Sequence, residues 1–331
     1  MRTKEPAVKV VMTPMPGGVA PGEPDDVVIR DLETTFPDVN FVWCETEEDQ
    51  LIAIEDADAY CGWPTRKVFL AANNLKWIHC AGTGIDGIMK IPELVESDIP
   101  VTNSRDSHVS PMATHVFALI TSLAQRLHQM LPQQLAREWR PDDYAWRQIE
   151  LEGTTLGIYG FGNIGRRVAK RATGFDMNVY AVDKHPRPSE HAQEVWGLDK
   201  LDDLIAMSDW FVVACPYTSE SMNSIDKRRI ALMKPTAHII IISRGGIVDE
   251  TAMCQAIRNG NLAGAGLDAM EPEPPELDSL LWTTPNIIFS PHASALVPDM
   301  YLGRREVFKE NLRRYLNNQS FIYECDKVAG Y

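Results

Sequence analysis

Three side chains in the second half of the chain have the types that moving a proton and charge at a carbonyl would need. Arg244 follows the apolar run AHIIIIS and precedes Gly245 and Gly246. At a strand end its guanidinium is a rigid fork for a carboxylate and a carbonyl. Glu273 sits in the proline-rich loop after GAGLDA, and His292 follows NIIFSP. An imidazole beside a carboxylate that fixes its orientation is a general acid and base suited to neutral pH. Taken singly, each has a structural explanation: a surface ion pair, a solvated loop acid, a capping residue. What joins them is their shared position at the carboxyl ends of strands, where open parallel sheets bind ligands.

The stretch 155–183, TLGIYGFGNIGRRVAKRATGFDMNVYAVD, says what would lie beside them. It reads as a strand over 156–159, a glycine turn over 160–165, a helix over 164–172 and a second strand over 178–182. Gly160 permits a tight turn, Gly162 lets a pyrophosphate approach the backbone, and Gly165 lets the helix pack close to the strand. Amides at the helix start, at Asn163 and Ile164, would hold the phosphates with help from the helix dipole. Asp183 ends the second strand, where a carboxylate accepts hydrogen bonds from an adenosine ribose and repels a 2′-phosphate, so NAD is expected rather than NADP. A GxGxxG alone is a turn; the strand before it, the helix after it and the acid beyond make it a dinucleotide-binding unit.

The whole chain sets the frame. Its 331 residues suggest two domains. A formal net charge of −14 argues against nucleic acid or an anionic membrane as the main partner. The N-terminus has no secretory pattern and no run is long and apolar enough for a membrane span, so a cytoplasmic protein is expected. The six cysteines, at 44, 61, 80, 215, 254 and 325, are scattered without a CxxC pair. They read as reduced, buried thiols, and no metal site is expected.

Strands over 8–12, 40–44, 59–61, 77–81 and 100–103 alternate with helical segments, which predicts an α/β domain with a parallel sheet. A Pro/Gly-rich loop follows the first strand. Two strand-end loops stand out, CGWPT at 61–65 and AGTGID at 81–86. The glycines flanking Thr83 would let amides face a carboxylate, or simply make a tight turn. The spacing of Val116, Leu119, Ile120, Leu123, Leu127 and Met130 predicts one long helix over 108–131, packed in the core or against a second subunit. An irregular segment is expected over 132–150. Strands at 210–214, 237–242, 264–267 and 287–290 resume the alternation, and the last helix, 299–317, is expected to return to the first domain.

Five ordered blocks now carry a resemblance over nearly the whole chain: GFGNIG with Asp183, ACPYTSES at 214–221, SRGGIVDE at 243–250, GAGLDAMEPEP at 264–274 and SPHAS at 290–294. The sequence resembles the D-isomer-specific 2-hydroxyacid dehydrogenases. The resemblance implies two Rossmann-like α/β domains with parallel sheets and the active site between them. The substrate domain, 1–104 with 295–331, would be discontinuous around an NAD-binding domain at 105–294. It assigns Arg244 to the substrate carboxylate and carbonyl, His292 to proton transfer and Glu273 to partnering His292. Thr83 and Gly84 would bind the substrate carboxylate, and Asp268 the nicotinamide carboxamide. Cys215, Pro216 and Ser243 join the NAD site, and the 108–131 helix matches a homodimer-forming segment.

The chain departs from the family pattern at Thr114, where Ala-Glu-His is frequent, and at Trp63, where phosphate-recognising members tend to have arginine. Formate dehydrogenases are similar too, but carry glutamine where Glu273 stands. The expected activity is NAD-dependent reduction of a 2-keto acid such as glyoxylate, hydroxypyruvate or a larger analogue. The alternative is an NAD(H)-sensing binding protein like the corepressors that share these residues.

Overall fold

The computed structural model describes residues 8–13 and 25–330. The Pro/Gly-rich loop after the first strand lies, from residue 14 on, outside the described residues. The chain divides into two compact units, Met1–His108 with Leu296–Tyr331, and Val109–Ala295.

In the first unit, short apolar runs become strands because each is covered on both faces, the usual fate of a parallel sheet. The strands are β1 (Val8–Met12), β2 (Val39–Trp43), β3 (Ala59–Cys61), β4 (Trp77–Cys80) and β5 (Val101–Asn103), in the order β2-β1-β3-β4-β5 and all parallel. Alternate side chains divide between two cores: Val11, Tyr60 and Ile78 enter one, Val10, Met12, Cys61 and Trp77 the other. The helix Pro298–Leu316 covers the second core. Its Phe308 stacks on Trp77 at 5.7 Å between ring centroids, and Phe321 lies 5.0 Å from the same indole.

The second unit holds β6 (Thr155–Tyr159), β7 (Asn178–Val182), β8 (Glu194–Trp196), β9 (Trp210–Val213), β10 (His238–Ile241), β11 (Gly264–Leu267) and β12 (Ile287–Phe289). They form one parallel sheet in the order β12-β11-β10-β9-β6-β7-β8. The direction of progression reverses between β6 and β9, the place where sheets of this kind open a ligand crevice. Both units are thus Rossmann-like α/β structures. All six cysteines are buried and free. No helix among the described residues is long and apolar enough to cross a membrane.

Two expectations need correction. The 108–131 segment is not one helix: it is Val109–Ala124 followed by Leu127–Ala136. The break falls at Arg126, whose φ of 57° is left-handed. Ile149 donates its amide to the Ala124 carbonyl, and Arg126 Nε donates to the Arg147 carbonyl at 2.9 Å. These long-range bonds override a local apolar spacing that would have carried the helix on. The apolar stripe divides accordingly: Val116, Leu119, Ile120 and Leu123 are core, whereas Leu127 is exposed. The second helix also runs into the 132–150 segment expected to be irregular. β8 has no strand signal in the sequence, because the run 193–197 (QEVWG) is short and mixed in polarity.

Candidate active site

The glycine turn lies at the reversal point. Gly160 has a φ of 96°, and a Cβ there would sit 2.4 Å from the Cys215 amide nitrogen and 2.5 Å from its Cα. Only a residue without a side chain lets the loops after β6 and β9 close on each other in this way. A Cβ on Gly165 would stand 2.3 Å from the Gly160 carbonyl oxygen, so the helix Asn163–Ala172 is seated directly on the turn. Gly162, by contrast, has open space where its Cβ would be, and no side chain caps the helix start. That leaves room and a positive helix end for a phosphate, with Asn163 and Ile164 in the first turn.

Asp183 stands over this turn. Its Oδ2 accepts from the Phe161 amide at 2.6 Å and its Oδ1 from the His185 amide at 2.8 Å. The carboxylate is therefore fixed in place, and each oxygen keeps lone-pair capacity for a ribose hydroxyl. Burial pushes the Cys215 thiol up to about 12, so Cys215 is a protonated packing group. Pro216 next to it is exposed. Ser243 Oγ is shielded from water and finds no hydrogen-bond partner among the described residues, an unfilled polar position that suits a bound ligand. The open Gly162, the uncapped helix and this hydroxyl fit a dinucleotide.

Glu273 and His292, which the chain separates by 19 positions, meet: His292 Nδ1 lies 2.8 Å from Glu273 Oε2. Glu273 Oε1 is held by the Met270 amide at 3.1 Å. His292 has a φ of 51°, a left-handed backbone that bulky residues rarely adopt. The conformation is fixed from behind by Asp268, 1% exposed, whose Oδ1 accepts from the Ala293 amide at 2.7 Å and whose Oδ2 accepts from the Ser294 amide at 3.0 Å. Ser290 Oγ donates to Asp268 Oδ1 at 2.6 Å, and His115 Nε2 lies 2.8 Å from the same hydroxyl. Asp268 thus anchors the loop that carries His292, a role that sequence did not reveal. Its signal is the spacing of SPHAS behind a strand-end aspartate.

Arg244 Nη1 donates to the Ser243 carbonyl at 2.7 Å. Its neighbour Gly245 ties it to the Glu273 loop: a Cβ there would lie 2.1 Å from the Met270 carbonyl carbon and 2.5 Å from the Glu271 nitrogen. Thr83 and Gly84 belong to the other unit, on the loop after β4. The Thr83 carbonyl accepts from Asn103 Nδ2 at 2.7 Å, and the Gly84 carbonyl from the Trp63 indole at 3.3 Å. A Cβ on Gly82 would meet the Trp63 ring at 2.9 Å, so the indole roofs this loop. Arg66 is held by Glu93, with Nε at 3.0 Å from Oε2. The unusual Thr114 also finds its explanation within the second unit, where Arg171 Nη2 donates to Ser110 Oγ at 3.0 Å and Thr114 Oγ1 at 3.2 Å. Hydroxyls hold that guanidinium where a carboxylate is absent.

Comparison with known proteins identifies the family. Residues 117–294 match the family model described as D-isomer specific 2-hydroxyacid dehydrogenase, NAD binding domain. A glyoxylate reductase of Thermococcus onnurineus is 32% identical over 258 residues, covering 76% of this chain and 77% of that protein. A D-3-phosphoglycerate dehydrogenase of Methanocaldococcus jannaschii is 32% identical over 279 residues, 83% of this chain but 52% of that protein, so the chain spans about half its length. Among solved structures, a D-isomer specific 2-hydroxyacid dehydrogenase family protein of Aeromonas salmonicida superposes with a TM-score of 0.82 at 25% identity, covering 97% of this chain and 99% of that one. The match of the domain that carries the glycine turn, together with relatives spanning most of the sequence, shows that the chain belongs to the D-isomer specific 2-hydroxyacid dehydrogenase family of oxidoreductases.

Proposed function

We propose that this chain reduces a small, unphosphorylated 2-keto acid such as glyoxylate, hydroxypyruvate or a larger analogue, with NADH. The carrying observation is the His292–Glu273 pair at 2.8 Å at the carboxyl edge of the sheet that bears the glycine turn. Glu273 engages Nδ1, so the ring presents Nε2 outward as the proton-transferring atom. When bound, the nicotinamide supplies the hydride. In the reducing direction, His292 gives its proton to the keto oxygen while Arg244 polarises that carbonyl and pairs with the carboxylate. Glu273 offsets the positive charge on the ring before transfer. Oxidation of the hydroxy acid reverses these steps.

Substrate and cofactor preferences follow from local charge. Trp63 places an apolar roof over the loop of Thr83 and Gly84, and Arg66 is already neutralised by Glu93, which supports an unphosphorylated substrate. Several relatives carry the name glyoxylate reductase. Asp183 at the ribose position favours NAD over NADP. We read the unit 109–295 as the dinucleotide domain, with Asp268 and Ser243 on the nicotinamide side, and 1–108 with 296–331 as the substrate domain. A homodimer is part of this reading, with one refinement. Leu127, Leu131 and Leu135 lie at helical spacing along one exposed stripe of the second helix, so the partner surface is Leu127–Ala136 rather than the buried helix before it.

A turnover assay tests the reaction. Purified protein with NADH and a panel of 2-keto acids should consume NADH, followed by its absorbance. Binding of NADH with no substrate reduced would replace the enzyme reading by that of an NAD(H)-sensing protein.

A further inference from the structure

The loop that carries Glu273 is short of backbone tethers. Pro272, Pro274 and Pro275 have no N–H to donate. The two amides that open the loop both go to carboxyl groups: Met270 donates to Glu273 Oε1 at 3.1 Å, and Glu271 to Glu250 Oε1 at 2.9 Å. The first bond is internal to the loop. The second ties it to the start of another element, the helix Glu250–Arg258.

That helix is a firm support. Asp249 caps it, accepting from the Ala252 amide at 2.9 Å, and Ala252, Met253, Cys254 and Ile257 are buried in the core of the second unit. Glu250 therefore stands on a fixed base. It faces a cavity of about 250 Å³ behind the loop, lined also by Gly246, Cys254, Glu271 and Leu281. Across the same loop, Gly245 lies against the Met270–Glu271 peptide with no space for a side chain. The peptide is thus gripped between the residue after Arg244 and the carboxyl of Glu250. Burial pushes that carboxyl up to about 7, with Glu271, Glu273 and Asp249 adding to the effect against the lowering by the Glu271 amide. A carboxyl that is easily neutral can accept this bond without placing a full charge beside Glu273.

We propose that Glu250 is a positioning residue for the proton transfer: by fixing the Glu271 amide it holds Glu273 at His292 and keeps that pair in register with Arg244. The proposal rests on the reading of His292 as the proton-transferring group. A displacement of about 1 Å in such a pair costs on the order of a hundredfold in rate, so a tether remote from the reacting atoms is visible in kcat.

The test compares Glu250→Ala, Glu250→Asp and Glu250→Gln with the unaltered enzyme, with His292→Ala as reference. Glutamine keeps an acceptor oxygen at the same reach; aspartate keeps the carboxyl group but withdraws it by one methylene. The expected result is a kcat lowered by about tenfold or more in the alanine and aspartate variants, with KM and NADH affinity within about twofold, and kcat near the original value for glutamine. Should the alanine variant fail to fold, the aspartate and glutamine pair decides alone. Unchanged kcat in all three, with His292→Ala inactive, overturns the role of Glu250 but leaves His292 in place. Equal losses in kcat, KM and NADH affinity for glutamine and aspartate alike would show a merely structural group and also overturn it. A His292→Ala enzyme that keeps full turnover removes both readings.

Discussion

Two histidines at the carboxyl ends of parallel strands have opposite fates. His79, on β4, is fully buried, with Nδ1 at 2.8 Å from Thr102 Oγ1 and Nε2 at 3.2 Å from Ser104 Oγ. Burial holds its pKa down at about 3, so it is neutral. His292, beyond β12, is 47% exposed at the side chain and spends one ring nitrogen on Glu273. Position at a strand end is common to both; what differs is whether a ring nitrogen is left over for something outside the protein. A histidine whose two nitrogens are satisfied in the interior is a core residue with polar atoms.

The comparison breaks most sharply at His292. Removal of a general acid costs roughly 10²–10⁴ in rate. His292→Ala should lose at least about a hundredfold in kcat while NADH affinity, read by fluorescence titration, is kept. Wild-type turnover in this variant would erase the distinction between the two rings.

His79 should answer in stability. Between pH 6.5, its ordinary value, and about 3, the unfolded chain binds a proton at this ring that the folded chain refuses. Unfolding is therefore increasingly favoured as pH falls through that window, with a slope of up to about 1.4 kcal/mol per pH unit. His79→Gln keeps hydrogen-bonding atoms but does not titrate. Urea midpoints at pH 7 and pH 5 should lie closer together for the variant than for the original protein, which alone carries this loss on acidification. Equal losses in both proteins would mean that His79 titrates freely and is not the buried ring described.

Much of this was legible in sequence because the constraints are local. The glycine turn, the acid at the end of β7 and the buried strands are written in residue type over short spans, and each stands where its spacing puts it. The apolar spacing over 108–131 misleads because the helix break is made by Arg147 and Ile149, residues whose approach no local pattern records. The supports of the site were equally silent. Asp268 beneath the His292 loop, Glu250 beneath the Glu273 loop and His115 beside Ser290 all act across long sequence separations, through backbone amides or a serine hydroxyl that any residue pattern could offer. Sequence thus displays the groups that face a ligand better than those that hold them.

The same contrast between filled and unfilled polar groups extends to the two strand-end aspartates, and there the expected effect is smallest. Asp268 takes three hydrogen bonds from the loop that carries His292 at 1% exposure, whereas Asp183 takes one backbone amide on each oxygen and is only partly buried. If Asp183 still has capacity for a ligand, Asp183→Ala should weaken NADH more than NADPH, because it removes an acceptor for a ribose hydroxyl and a repulsion toward a 2′-phosphate together. A change of about tenfold in the ratio of the two dissociation constants corresponds to about 1.4 kcal/mol, a reasonable value for one charged contact at a half-open site. Loss of its bonds to the Phe161 and His185 amides would loosen the turn for both cofactors alike and leave the ratio unchanged. The ratio therefore separates an aspartate that reads the ribose from one that does no more than hold neighbouring backbone, as Asp268 holds the loop of His292.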